Sequence, residues 1–516
     1  MVKLKNHRRK KIKKRSHKFN LNLDYLIKNE IKHNAIRQEF SKDCLKLANS
    51  VSKKKILDHE DLTHIPFVTI DGKDSKDFDD AVWSKKKKNK IEIMIAISDV
   101  SFYVNSGDLL DLEAKKRGNS FYFPNSVVPM LPHELSSNIC SLVPNKKRAC
   151  VIVHSEIDLL GNILSFNFKR GIIKSVANLN YEEVEDFIVL KKISKNLKGK
   201  TSLIDNLKSA FKILNANSKA RGKLNLDIEE YKIVIEEKNN FNFKKKRNSL
   251  SNKIIEELMI HANNIVANFF IKKNMQGIYR NHEVPSDEKI DKLKELFNQI
   301  EVSYEKKKIK SQKYLSSLID ETEESNRRKI KENILKIQSK AYYHKKNKGH
   351  FGLALENYTH FTSPIRRYSD LIAHRLIINL ITNKNKKSKN NVFNNDSLHL
   401  HLTNQEKKSD IIERNILEKS CCLYLQKLKR KKFIGYIDGF IEYGIFIKSA
   451  DLPFSGLLKF NTLKDDFYLY NQDQLCAEGK KKGNRFKLND KVMFSIRSID
   501  SVKGKVSLEK MKIINE

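Results

Sequence analysis

Five aspartates, Asp71, Asp74, Asp77, Asp79 and Asp80, crowd into ten residues just after the apolar run HIPFVTI, within TIDGKDSKDFDDAV. Carboxylates this close repel one another and raise each other's pKa unless a cation neutralises them, so the spacing asks for a metal. The donors are oxygens, with no His or Cys among them, which favours a hard ion, magnesium or alternatively manganese, over zinc. Gly72 lets the backbone turn, Asp77 and Asp79 can share one face of an extended segment, and Asp80 can swing in from a bend. Several carboxylates could then converge on one or two ions. Two such ions would activate a water and stabilise the leaving oxygen in phosphodiester hydrolysis. A calcium loop of EF-hand type needs D-x-D-x-D-G and a closing Glu, and the order here does not match. A solvated acidic turn stands as the alternative.

A second candidate lies in HFTSPIRRYSDLIAHRLIINLI. Ser363 can cap a helix, Pro364 fits the first helical position, and an apolar face follows. Arg366 and Arg367 would then fall in the first turn, where the helix dipole is already positive. Two cations there imply a bound anion served by both dipole and side chains, such as an RNA phosphate held by bidentate guanidinium contacts. Pairing with the aspartates or with Asp370 is the alternative role, and the two need not exclude each other.

These residues need elements to position them. Leu21, Leu23, Leu26, Ile27 and Ile31 recur on one helical face, so residues 21–60 read as a helical linker into HIPFVTI. IEIMIAISDV and RACVIVHSEIDL read as strands, being rich in β-branched residues. NKIIEELMIHANNIVANFFIKK, DEKIDKLKELFNQI and RKIKENILKIQSKAYYH carry apolar residues at helical spacing. Strands followed by helices predict an α+β catalytic domain over 61–430, with a helical extension after the polar, low-complexity run 382–397. From 431 to 512 the pattern alternates again, with Gly435, Gly439, Gly444 and Gly456, as in a small, strongly coiled OB-type barrel. There Tyr436, Phe440, Tyr443 and Phe446 either stack on bases or fill the barrel core.

Composition bounds the partners. The 516 residues suit several domains, and 101 Lys and Arg against 62 Asp and Glu give a formal charge of +39, which attracts polyanions, nucleic acid first. Abundant Lys, Asn and Ile also fit an A+T-rich genome, which would load any protein with lysine. Residues 1–20 form a basic tail with too few apolar residues to pack, and a disordered tether is expected. The six cysteines show no C-x-x-C pairing, which argues against a zinc site or disulfide framework. No apolar run reaches about 18 residues, so a cytoplasmic protein without membrane spans is expected.

TIDGKDSKDFDDAV, SDVSFYVNSGDLLDLEAKKRGNSFYFPNSVVPMLPHELSSNICSL, IIEELMIHANNIVA, GIYRNHEVPS and GHFGLALENYTHFTSPIRRYSDLIAHR together resemble the ribonuclease II and ribonuclease R family of exoribonucleases, on the ribonuclease R side. The resemblance implies an RNB-type catalytic domain with a narrow basic channel and a C-terminal OB-fold RNA-binding domain. It implies processive 3′-to-5′ hydrolysis of single-stranded RNA to nucleoside 5′-monophosphates. By motif position, Asp71, Asp77 and Asp80 look like magnesium ligands and Asp79 like the carboxylate most needed for hydrolysis. Tyr122 resembles the aromatic clamp on terminal nucleotides, Tyr279 its counterpart, Arg366 the phosphate-contacting arginine, and Glu413 an acidic residue facing the channel. Family members carry cold-shock-type domains ahead of the catalytic domain, and residues 1–60 are too few for them. A monomer is expected, with a ribosome or an RNA helicase as candidate further partners. Two other classes compete: a catalytically decayed RNA-binding protein, against which the intact aspartates argue, and a DNA nuclease.

Overall fold

The computed structural model describes residues 21–514 except 228, 237–239, 247, 300–301, 383–395 and 472–475. The basic tail and nearly all of the polar run 382–397 therefore lie outside the described residues.

Residues 21–60 fold as two helices. The Asn22 side chain accepts from Tyr25 N at 2.8 Å and starts α1 (Leu23–His33), and Ser41 caps α2 (Lys42–Val51). Chain order then gives β1 (Glu60–Asp61), β2 (Val68–Asp71), β3 (Asp80–Lys86), β4 (Lys90–Ser98), α3 (Val100–Tyr103), α4 (Leu109–Arg117), the short strands β5 (Phe121–Tyr122) and β6 (Val127–Val128), and long β7 (Lys147–Asp158), β8 (Ile163–Lys174) and β9 (Ala177–Asn180). Seven of these strands make one sheet in the order β1-β8-β7-β4-β3-β2-β9. Its centre is antiparallel, while β9 joins β2 and β1 joins β8 in parallel.

After the sheet come α5 (Tyr181–Leu190), α6 (Thr201–Arg221), β10 (Tyr231–Ile235), β11 (Phe241–Lys245) and α7 (Leu250–Lys272). The two faces of β4 show how the layers close. Ile91, Ile93, Ile95 and Ile97 point into the main core with Ile204 and Leu207 of α6 and Ile254 and Leu258 of α7. Met94 and Ala96 point the other way, onto Leu62, Phe67, Ile152 and Ile173. Each such buried side chain stabilises by about 1.5–3 kcal/mol, which is why this strand reads as a continuous apolar run.

β12 (Tyr279–Asn281) pairs with β13 (Tyr342–His344), and between them α8 (Asp287–Gln299), α9 (Gln312–Glu321) and α10 (Glu324–Ile337) build a separate apolar cluster around Ile290, Phe297 and Ile330. The chain ends with α11 (Tyr368–Ile381), the 32-residue α12 (Asp396–Lys427) and a barrel. β14 (Phe433–Ile441), β15 (Gly444–Ser449), β16 (Ser455–Lys459), β20 (Lys491–Asp500) and β21 (Lys505–Ile513) close in the order β14-β15-β16-β21-β20, an OB-like arrangement, while β17 (Tyr468–Asn471), β18 (Cys476–Gly479) and β19 (Arg485–Lys487) form a small sheet beside it. Of the four rings singled out in the barrel, Phe440 packs against its core and the others do not join it. Phe433, Ile437, Ile445, Ile447 and Phe494 fill it, whereas Tyr443 and Phe446 are exposed, Phe440 stacks on Tyr470 and Tyr436 lies under Arg328. All six cysteines are buried and none forms a disulfide.

The barrel glycines differ in what they permit. A Cβ at Gly435 would run into the Lys448 carbonyl oxygen and come within 2.9 Å of the Phe494 ring, whereas Gly439 has nothing within 4 Å. Overpacking of this kind costs about 1–3 kcal/mol. Gly435→Ala is expected to strip hydrogen-exchange protection from β14, β15 and β20, while Gly439→Ala leaves it near wild type. Equal losses from the two substitutions would show that the barrel does not close as described.

Candidate active site

Sheet topology collects the aspartates. β2 ends at Asp71 and its antiparallel neighbour β3 begins at Asp80, so both carboxylates stand at one edge and the loop 72–79 closes over it. Asp71 Oδ1 accepts from Gly72 N at 2.6 Å and from Ser75 Oγ at 3.0 Å. The loop is pinned from the far side, because Ser141 Oγ donates to the Lys76 carbonyl at 2.7 Å and accepts from Phe78 N at 3.0 Å. Asp74 is exposed on this loop.

Asp79 is the most enclosed of the group, with 5% of its surface exposed. Its Oδ1 accepts from Ile365 N at 2.8 Å, and its Oδ2, also buried, has no hydrogen-bond partner among the described residues. The Arg366 Nε lies 3.6 Å from that second oxygen, and the Arg366 side chain remains 44% exposed, open to an incoming group. Asp77 Oδ2 accepts from the Tyr122 hydroxyl at 2.5 Å.

The electrostatics follow the burial. Desolvation holds the Asp71 and Asp79 carboxyls above the usual range, with Asp77 adding to both and Arg366 opposing. Burial and the charge of Asp71 push Asp80 up to about 7. Carboxyls raised by desolvation and mutual repulsion, with one orphaned buried oxygen, form a donor set that suits a hard cation. As they stand, no three acidic, His or Cys side chains among the described residues are gathered at metal-ligating distance. Asp77 is engaged by Tyr122, and one Asp79 oxygen by the backbone of Ile365.

The arginine segment departs from expectation. The helix begins at Tyr368, not Pro364, with extended Arg367 at its N-cap. Ser363 to Arg367 form a turn instead, because long-range partners satisfy it: Ile365 N is taken by Asp79, Ser363 N donates to Asp370 Oδ1 at 2.8 Å, and Arg367 bridges in antiparallel fashion to Asn119. Arg366 Nη2 donates to Ser363 Oγ at 2.9 Å. Arg367, expected to contact RNA, is turned to Asp370 at 2.7 Å, the pairing weighed beside that role, and holds the framework of the turn.

The two clamp tyrosines part company. Tyr122 is 43% exposed on β5, between buried Phe121 and Phe123, and presents its ring outward. Tyr279 is 2% exposed in the main core with its hydroxyl on the Met275 carbonyl, so the expectation that it stacks on a base is corrected: β12 carries the ring inward and leaves no face open. Glu413 is exposed on α12, 3.9 Å from Lys246, and makes no contact with the carboxylate group among the described residues. The acid that α12 does present inward is Glu406, which accepts from Arg280.

Tyr181 was not legible from motif spacing. β9 runs parallel to β2 with Asp71 opposite Asn180, so the next residue falls beside the carboxylates, and burial together with the charges of Asp71 and Asp80 raises its phenol. Sheet topology alone carries that signal.

The comparisons with known proteins agree with this geometry. Residues 59–383 match the family model described as RNB domain. Ribonuclease R of Thermotoga maritima is 33% identical over 490 residues, which covers 91% of this chain and 68% of that protein. Ribonuclease R of Buchnera aphidicola subsp. Schizaphis graminum is 31% identical over 477 residues, covering 90% of this chain and 65% of that one. The chain thus spans about two thirds of the length of these curated relatives. The solved structure of Mycoplasma genitalium RNase R in complex with ribose-methylated single-stranded RNA superimposes with a TM-score of 0.90 at 27% identity, covering 96% of this chain and 78% of that one. With residues 59–383, well over half of the chain, matched to that domain model and these two relatives both named Ribonuclease R, the chain belongs to the RNB family of Ribonuclease R.

Proposed function

We propose that the protein is a 3′-to-5′ exoribonuclease that degrades single-stranded RNA processively to nucleoside 5′-monophosphates. The observation that carries this reading is the buried Asp79 Oδ2, which accepts no hydrogen bond among the described residues and is paired at 3.6 Å with the half-exposed guanidinium of Arg366, amid three further carboxylates. The RNA-bound state of the Mycoplasma genitalium relative supports single-stranded RNA as the substrate class. A cytoplasmic monomer is part of the same reading, and no described helix is long and apolar enough to cross a membrane.

Asp71, Asp77, Asp79 and Asp80 would hold the divalent cation, magnesium or manganese. When bound, the metal supplies water activation and stabilisation of the leaving oxygen. The chain's own residues do the rest. Arg366 neutralises the phosphate at the scissile bond, and the Asp79–Ile365 hydrogen bond keeps that arginine's turn in register with the carboxylates. Tyr122 offers its ring to a terminal base, and stacking of about 1–3 kcal/mol holds any base without reading it. The Tyr122 hydroxyl donates to Asp77 Oδ2, so the clamp ring is tied directly to one of the carboxylates that would hold the metal.

Asp79→Asn keeps the shape, and its amide can still accept from Ile365 N, but the charge is gone. Turnover on end-labelled single-stranded RNA is expected to fall on the order of 10² to 10³ or more, while RNA affinity stays within a few-fold. Retention of more than a few per cent of turnover would remove the carboxylates from the chemistry, and a catalytically decayed RNA binder would show no turnover in the parent protein either.

Asp80 gives a pH prediction. Its folded pKa of about 7 lies above its unfolded value of about 4, so its contribution to stability is full below about 4 and is lost as pH rises to about 7. Measured against Asp80→Asn, the metal-free parent should therefore lose melting temperature between pH 5 and pH 8, a comparison in which buried His261, His350 and His374, held neutral by burial and opposing the trend, cancel. A cation competes with the proton, so magnesium should raise the melting temperature more at pH 8 and binding should release protons, read by calorimetry in two buffers of different ionisation enthalpy. Equal magnesium stabilisation at both pH values would contradict the donor set.

A further inference from the structure

The hairpin that carries Tyr122 has little support of its own. β5 and β6 are two residues each and pair with each other alone, outside the main sheet. A lone hairpin of that size is marginal in water, so its position depends on what stands behind it. At its base it shares backbone with the arginine turn: Ser120 N donates to the Arg366 carbonyl at 3.0 Å, and Asn119 bridges to Arg367.

The opposite side is covered by the N-terminal segment. Phe121, Phe123 and Val128 lie in one apolar cluster with Leu23, Leu26, Ile27 and Ile31 of α1 and Ile412 and Ile416 of α12. At the tip of the hairpin, Asn125 Nδ2 donates to Asp24 Oδ1 at 2.6 Å. At its base, buried Arg117 donates to the carbonyls of Arg37 at 2.7 Å, Glu39 at 2.7 Å and Pro129 at 3.0 Å, and stacks 3.7 Å over the Phe40 ring. Tip, face and base are thus all tied to residues 21–40. α1 is itself locked to α12, because buried Glu30 accepts from Lys419 Nζ at 2.5 Å.

We infer that residues 21–40 brace the β5–β6 hairpin, and that Asp24, Asn125 and Arg117 are positioning residues that set where Tyr122 meets the RNA end. The consequence for RNA rests on the exoribonuclease reading; the brace itself does not. The segment ahead of the catalytic domain thereby acts on the clamp mechanically, without touching substrate. Because small displacements of a positioned group change turnover and register steeply, a loosened hairpin shifts the length at which degradation stops before it affects the carboxylate chemistry.

The exposed Asp24–Asn125 pair allows a test that leaves the core intact. Hydrogen exchange of residues 119–130 is measured in the full chain without RNA for Asp24→Ala, Asn125→Ala and the double variant Asp24→Asn with Asn125→Asp, which exchanges donor and acceptor. Loss of one such hydrogen bond should speed local exchange roughly 2- to 10-fold in each single variant. The double variant should restore it, and β4 should be unaffected in all three. Asn125→Ala leaves α1 untouched, so its effect cannot come from a weakened helix start. Unchanged exchange in both single variants, or no restoration in the double variant, overturns the brace. On end-labelled single-stranded RNA, the single variants should shift the residual product length toward that of Tyr122→Ala and raise KM with kcat near wild type. Faster exchange with unchanged products and KM overturns the positioning role. The exchange measurement involves no nuclease activity, so a failed brace is distinguishable from a failed exoribonuclease reading, which the Asp79→Asn comparison decides.

Discussion

The hydrogen bond from Ile365 N to Asp79 joins the two halves of the site across 286 residues of sequence. A carboxylate 5% exposed beside three others is an expensive arrangement, because desolvation and like charge both oppose ionisation. One backbone N–H and one nearby guanidinium hold it there. The segment stays outside α11 because Arg367 is extended and Tyr368 N donates to the Gly118 carbonyl at 2.9 Å, which leaves Arg366 in a turn rather than along a helix. Much of the fold follows from that need. The antiparallel β2–β3 pair sets the carboxylates at one edge, Ser141 pins their loop, and α11 carries the arginine turn up to them.

What is legible in the sequence is what is local. The aspartates lie within ten residues of one another, and a cluster so dense announces itself without knowledge of the fold. The strands IEIMIAISDV and RACVIVHSEIDL are local patterns too, whereas FYF around Tyr122 is equally compatible with core packing and only the structure shows Tyr122 outward between buried Phe121 and Phe123. The misreadings come from contacts that spacing does not encode. Ser363 and Pro364 satisfy the rules for a helix start, yet Asn119 bridges to Arg367 and the Gly118 carbonyl takes the Tyr368 N–H, so the helix begins only at Tyr368. Tyr279 looks like a clamp by motif, and β12 turns it into the core. Tyr181 reaches the carboxylates through a parallel strand pairing that no spacing rule reveals.

Charge shows the same division. The +39 total speaks to the class of partner, while arginines of similar local context do different work. Arg366, paired with Asp79 and donating to Ser363, still keeps 44% of its side chain exposed, whereas Arg367 and Arg117 are mostly buried on internal acceptors. Neighbouring positions in a sequence thus separate into one group available to a phosphate and others that hold the backbone, and burial decides between them.

The long helix α12 converts these local arrangements into one frame. At 1.5 Å per residue its 32 residues span about 48 Å. Leu398 and Leu402 enter the main core, Ile412, Ile416 and Leu423 the cluster shared with α1 and the Tyr122 hairpin, and Cys421, Cys422 and Leu425 the barrel core. The barrel is also met by α10, but through polar contacts: Lys336 with Asp438 at 2.9 Å, Glu332 with Lys448 at 3.5 Å, and Arg328 over Tyr436 at 4.6 Å. Exposed ion pairs contribute little and are screened by salt, whereas apolar burial along α12 is not. The direction of the barrel relative to the carboxylates is therefore set by α12, and the α10 contacts trim it. A single helix thus touches the main core, the Tyr122 hairpin and the barrel, and its length fixes how far apart those three clusters lie along it.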